Sequence, residues 1–139
     1  MKKIFLFTMS AIMLTFIFAS CKKNKNTATT LQKIQTKWSV ESVIDHEHDP
    51  SSLPIDTTTT YLGVATDYVD FRNDGKVYSY FDGSADTSPY TLSGDTTIII
   101  NLLGKFKIQS LTDHVLKLYD KEDNPSTSSY FEEYINLKK

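Results

Sequence analysis

Turn-forming residues recur about every ten positions through most of this chain, and that rhythm limits the fold more than any other feature. Asn73-Asp74-Gly75, Asp82-Gly83, Gly94-Asp95, Gly104 and Thr112-Asp113 punctuate the sequence. Gly and Asp at such places accept the positive φ of tight hairpin turns. No helical period fills the gaps between them, so the connected pieces are short strands in series. The spacing predicts strands at residues 38–44, 66–72, 77–81, 88–93, 96–103, 105–111, 114–120 and 130–137. Before them, Leu31, Ile34 and Trp38 fall at helical spacing, which predicts a short helix. Eight antiparallel strands in series can close into an up-and-down barrel, which removes exposed edges. The expected fold class is therefore all-β: an eight-stranded antiparallel barrel preceded by a short helix.

The first 20 residues follow a different rule. Lys2 and Lys3 precede an apolar run at residues 4–18, and then come Ala19, Ser20 and Cys21. A basic start, an apolar stretch and small residues before a cut are the parts of a secretory signal helix. The run is too short for a bilayer span of about 20 residues. Phe18-Ala19-Ser20-Cys21 resembles the lipobox of bacterial lipoprotein precursors. That resemblance implies cleavage before Cys21, a diacylglyceryl thioether on its sulfur and acylation of the new amine. Several acyl chains hold a protein on a membrane where a single chain does not.

Three segments result: a signal peptide at residues 1–20, a lipid-anchored flexible tether at 21–30 and a barrel domain at 31–139. Residues 22–30 contain only Lys, Asn, Thr and Ala, so they have nothing to bury. The body holds 10 Lys+Arg and all 17 acidic residues, a formal charge of −7 against −2 for the whole chain. An acidic body argues against nucleic acid, since phosphate binding needs clustered Lys/Arg. It also disfavours a body lying flat on anionic lipid. Cys21 is the only cysteine, which excludes an intramolecular disulfide and a cysteine-based zinc site.

The order of features in the body resembles the bacterial lipocalin-like domain. The short helix, the Trp38-led strand and the long first loop come first. Phe71-x-x-Asp74-Gly75, Tyr90-x-Leu92-x-Gly94-Asp95 and Ile108-x-x-Leu111-Thr112-x-x-x-Leu116-x-Leu118 follow. Thr36-Lys37-Trp38 stands where many members have Gly-x-Trp. The resemblance implies a β-barrel with a possible apolar ligand, in a lipoprotein of the cell envelope. The expected location is the outer membrane, on the periplasmic side.

Alternation then selects candidate residues. Trp38, Val40, Ser42 and Ile44 share one strand face, opposite Ser39, Glu41 and Val43. The inward residues Trp38, Val40, Phe71, Tyr90, Phe106, Ile108, Leu116 and Leu118 are the expected ligand contacts. A long loop at residues 45–61 would sit over the mouth, with Leu53 and Ile55 as a lid. In residues 98–103, inward Ile98, Ile100 and Leu102 would leave Ile99 and Leu103 outside for local cover or a protein partner. Glu133 alternates with inward Phe131 and Ile135, so it must pair, meet a polar ligand end or be turned out by a bulge.

Other chemistry is thin. His46 and His48 share a face of an extended chain and could ligate a metal, but they read better as a solvated loop. Residues 70–81 lack the oxygen ligands of a calcium loop, because Arg72 and Phe81 occupy ligand positions. No nucleophile elbow, phosphate loop or zinc-protease motif occurs, so neither an enzyme nor a cofactor is expected. Two functions remain. One is a binding module for a small apolar ligand. The other is a structural or protein-interaction lipoprotein with a filled barrel. Whether the barrel is hollow decides between them.

Overall fold

The structure, a computed structural model, describes residues 28–139. The signal segment, Cys21 and most of the tether lie outside the described residues. The helix α1 (Thr30–Ile34) is started by a reciprocal cap, in which Thr29 and Gln32 each bond the other's backbone N–H through their side chains. Such a box satisfies two of the free N–H groups at a helix start. The Trp38 indole N–H donates to the Ile34 carbonyl at 3.0 Å, and both side chains are fully buried. This contact seats α1 at the foot of the first strand.

Nine strands follow: β1 (Lys37–His48), β2 (Asp56–Leu62), β3 (Tyr68–Phe71), β4 (Lys76–Phe81), β5 (Ser84–Ser93), β6 (Thr97–Ile100), β7 (Gly104–Leu111), β8 (Val115–Asn124) and β9 (Ser129–Lys138). All neighbours pair antiparallel, from β3 through β9, and β1 pairs with both β3 and β9. That last pairing closes the barrel. β2 and β3 lie along the same edge of β1, at residues 42–48 and 37–39. They form one interrupted strand, so the closed barrel has the eight expected staves.

The interruption at residues 63–67 is built by Asp67. Its carboxylate accepts from the Tyr61 hydroxyl at 2.6 Å and the Val64 N–H at 2.8 Å. Its carbonyl accepts from the Val40 N–H. Gly63 donates its N–H to the Glu41 carbonyl and lies so close that a Cβ there would stand 2.1 Å from the Val40 oxygen.

Three expectations need correction. The long loop at residues 45–61 is mostly strand; only residues 49–55 are loop. The Thr57–Thr60 run is β-branched, and its ladder with β1 outweighs the polar character that suggested a loop. The gap between the strands predicted at 114–120 and 130–137 likewise shortens to residues 125–128, because β8 continues to Asn124 in register with β9. Strand β6 stops at Ile100. Leu102 therefore does not face inward; it occupies a turn at φ 68° and is 93% exposed.

The ends of the barrel differ. α1, the β3–β4, β5–β6 and β7–β8 turns and the C-terminus gather at one end, the base. The β1–β2 loop and the β4–β5, β6–β7 and β8–β9 turns gather at the other, the mouth. The core of Ile34, Trp38, Val40, Phe71, Val77, Tyr90, Ile98, Ile100, Phe106, Leu116, Leu118 and Leu137 fills the base half.

Candidate functional site

The site grows from a shift of register. β1 carries a bulge against β9 between Val40 and Ser42. A bulge adds one residue to one strand and so reverses which side chains face in. Below it Trp38 and Val40 point into the core, as expected. Above it Val43, Asp45 and Glu47 point inward, and the expected facing of Ser42 and Ile44 is reversed. Ser42 instead accepts from the Asn136 amide N–H at 3.0 Å.

On β9 the inward set is Leu137, Ile135, Glu133 and Phe131, paired with Val40, Val43, Asp45 and Glu47. On β8 it is Leu116, Leu118, Asp120 and Glu122, paired with Leu137, Ile135, Glu133 and Phe131. The interior thus changes character with height. Aliphatic rows at the base give way to a row of three carboxylates, Asp45-Glu133-Asp120, directly opposite one another on adjacent strands. The next row is Glu47-Phe131-Glu122. Opposed side chains in a sheet stand about 5 Å apart, and like charges there repel.

Glu133 bears the consequence. Burial first, and then the charges of Asp45, Asp120 and Glu122, push its carboxyl up to about 7. The basic residues of this half, Lys105 and Lys121, lie on the outer faces of β7 and β8. Lys121 is held by Asp123 at 3.2 Å and lies over the Tyr130 ring. Glu133 therefore turns inward without an ion pair among the described residues.

Two adjoining cavities open here. A cleft of about 350 Å³ lies at the rim between the end of β1, its loop and the β8–β9 turn. Glu47, Asp49, Ser51, Glu122, Asn124, Tyr130 and Phe131 are among its lining residues. A smaller space of about 90 Å³ below it is lined by Leu103, Asp120, Glu122, Phe131 and Glu133. Glu122 and Phe131 belong to both.

The candidate contacts read from the sequence lie elsewhere. Trp38, Val40, Phe71, Tyr90, Phe106, Leu116 and Leu118 form one buried cluster, with Ile108 half-buried against it. Phe71 meets Tyr90 edge-on at 5.2 Å. The Tyr90 hydroxyl donates to the Arg72 carbonyl and accepts from the Gln35 amide. Neither cavity is lined by any of these eight. Leu53 and Ile55 sit in the β1–β2 loop at the mouth end, and both are exposed. Ile99 is half-buried, while Leu103 is exposed at the mouth. His46 and His48 face outward from β1. His48 bonds Asp56 at 2.6 Å and stacks on Tyr130 at 4.8 Å. Among the described residues, no three His, Cys, Asp or Glu side chains converge as metal ligands.

Fold and site together define a closed antiparallel barrel with a filled base and an open, carboxylate-lined mouth. No family model matches the chain, and no curated protein matches it. Among solved structures, a deswapped triple mutant of bovine odorant binding protein is similar, at 20% identity and a TM-score of 0.41. The match covers 77% of this chain and 74% of that one.

Proposed function

We propose that the mature protein is a lipid-anchored binding module of the cell envelope, tethered through Cys21 on the periplasmic side of the outer membrane. Its ligand is a small molecule with an apolar body and a cationic group, taken at the mouth of the barrel. The observation that carries this reading is the carboxylate row Asp45-Glu133-Asp120: Asp120 and Glu133 line the smaller space with Phe131 and Leu103, and that space shares Glu122 and Phe131 with the rim cleft. The cleft volume lies in the usual range for small-molecule sites, about 300–1,000 Å³. A cation placed along the row relieves repulsion that the empty site must bear. The acids form a row across three strands rather than converging on a point, which suits an organic cation better than a metal ion.

A second reading has its own support. The base is filled by its own side chains, and Leu62, Val64 and Leu102 are well exposed. A protein partner, met through such side chains or through Ile99 and Leu103, fits a filled barrel without a small ligand.

Native mass spectrometry of the protein taken from its own membrane separates the two. A bound organic cation, lost in Glu133→Gln, supports the mouth site. A bare chain that binds no amine-bearing amphiphile in titration refutes it. For the anchor, Cys21→Ser is expected to leave an uncleaved precursor without lipid. Normal processing of that variant, with the product still in the membrane fraction, refutes the lipid attachment.

A further inference from the structure

The barrel is electrically polar along its axis. Lys33, Lys37, Arg72, Lys76, Lys138 and Lys139 sit around the base with Asp70, Asp74, Asp95 and Asp113, so the base has mixed charge and the mouth is strongly acidic by contrast. Arg72 pairs with Asp70 and Lys138 with Glu41. Lys37 lies over the Tyr68 ring and Lys139 over the Trp38 ring. Among the described residues, Lys37, Lys76 and Lys139 make no ion pair, and the Lys33–Asp113 contact is a loose 4.0 Å. The opposite end is rimmed and lined by carboxylates. The chain also enters the described body at this base, where Thr29 caps α1.

We infer that the base is the membrane-facing end, and that its lysines dock on an anionic lipid surface and hold the mouth away from the bilayer. The inference rests on the lipid-anchor reading of Cys21. The tether alone does not set this orientation. Ten residues reach up to about 30 Å, comparable to the length of a ten-residue strand. Charge decides instead. Base-down, the lysines of the base fall within a Debye length, about 10 Å, of the headgroups. Mouth-down, the carboxylates take that place and are repelled. A mouth facing away from the membrane is also the one that a dissolved ligand can enter.

The test uses the lipid-modified mature protein with a single fluorophore, attached at Asn73→Cys in a base turn or at Ser126→Cys in a mouth turn. Each is reconstituted into phosphatidylcholine vesicles carrying a headgroup-nitroxide lipid, with or without phosphatidylglycerol. Quenching at residue 73 is expected to exceed that at residue 126 severalfold in anionic vesicles. The difference should shrink in neutral vesicles and at high salt. Each surface lysine is worth about 1 kcal/mol near anionic lipid, so Lys33→Gln and Lys139→Gln should each lower the base-down preference about fivefold. The salt and lipid comparisons need no lysine variant, so they stand even if those variants fold poorly. Equal quenching at the two positions, or quenching indifferent to phosphatidylglycerol, overturns the orientation. The intact mass of the same sample reads the anchor. A chain with lipid on Cys21 and equal quenching overturns the orientation alone; a chain without lipid overturns both.

Discussion

Glu133→Gln is expected to stabilise the protein above neutral pH and to leave it unchanged in acid. The side chain is held between Asp45 and Asp120, and its carboxyl is pushed from an ordinary 4.5 up to about 7. A group whose folded value is raised binds its proton more tightly in the folded state. Below 4.5 both states are protonated and no penalty exists. Between 4.5 and about 7 the unfolded chain gives up the proton first, so folding loses stability as pH rises. Above about 7 the penalty is complete. A tenfold change in proton affinity is worth about 1.4 kcal/mol, which makes the unscreened penalty about 3 kcal/mol. Glu133 is only half-buried, and water screens part of the interaction, so roughly half of that survives, ~1–2 kcal/mol. For a domain of this size, that is a rise in melting temperature of about 5–10 °C for the variant at pH 8. Thermal or urea unfolding of both proteins at pH 4, 6 and 8 measures it. A difference equal at all three values, or a variant weaker than its parent at pH 8, refutes the assigned facing of Glu133.

The interrupted strand and the filled base make further predictions. Gly63→Ala puts a methyl group into the Val40 backbone, so β1 and β2 must separate locally, at a cost of about 2 kcal/mol or more. Hydrogen exchange should show the loss at the Gly63 N–H, which bonds the Glu41 carbonyl. Unchanged protection there contradicts the close approach. Leu116→Ala removes a fully buried side chain and is expected to cost about 2–5 kcal/mol in urea unfolding. Leu103→Ala, half-exposed at the mouth, should cost no more than about 0.5 kcal/mol, yet weaken binding of a cationic amphiphile. Equal destabilisation by the two substitutions argues against a division between base and mouth.

The base was legible in the sequence because its physics is local. Alternation named Trp38, Phe71, Phe106, Leu116 and Leu118 as inward, and all are buried. Asn73-Asp74-Gly75 and Asp82-Gly83 mark turns in which Gly75, Asp82 and Gly83 take positive φ. The mouth was not legible, for two reasons. Polar residues such as His46, Glu47, Lys121 and Glu122 resemble loop residues, although cross-strand pairing extends β1 and β8 through them. The bulge in β1 also has no marker in the sequence, and it alone turns Asp45 inward. Glu133 stood out from its alternation with Phe131 and Ile135. Continuing the series Leu116, Leu118 through Asp120 and Glu122 finds its neighbours on β8.

The contrast between the two ends explains how the chain tolerates its acidic interior. Conflicts between local chemistry and global fold concentrate at functional sites and are offset elsewhere. Here the offset lies directly beneath: the Leu137–Leu116 and Ile135–Leu118 rows are continuous with the carboxylate rows on the same three strands. The ladders joining β1, β9 and β8 run unbroken from the bulge into the mouth, so Asp45, Glu133 and Asp120 cannot relax by drifting apart. What remains is for Glu133 to hold its proton more tightly, or for the row to accept a cation. A flexible acidic loop would disperse the same charge into solvent and bind little. Held in register over a packed base, the carboxylates keep their repulsion until a ligand removes it, and that retained repulsion is the affinity the mouth can offer.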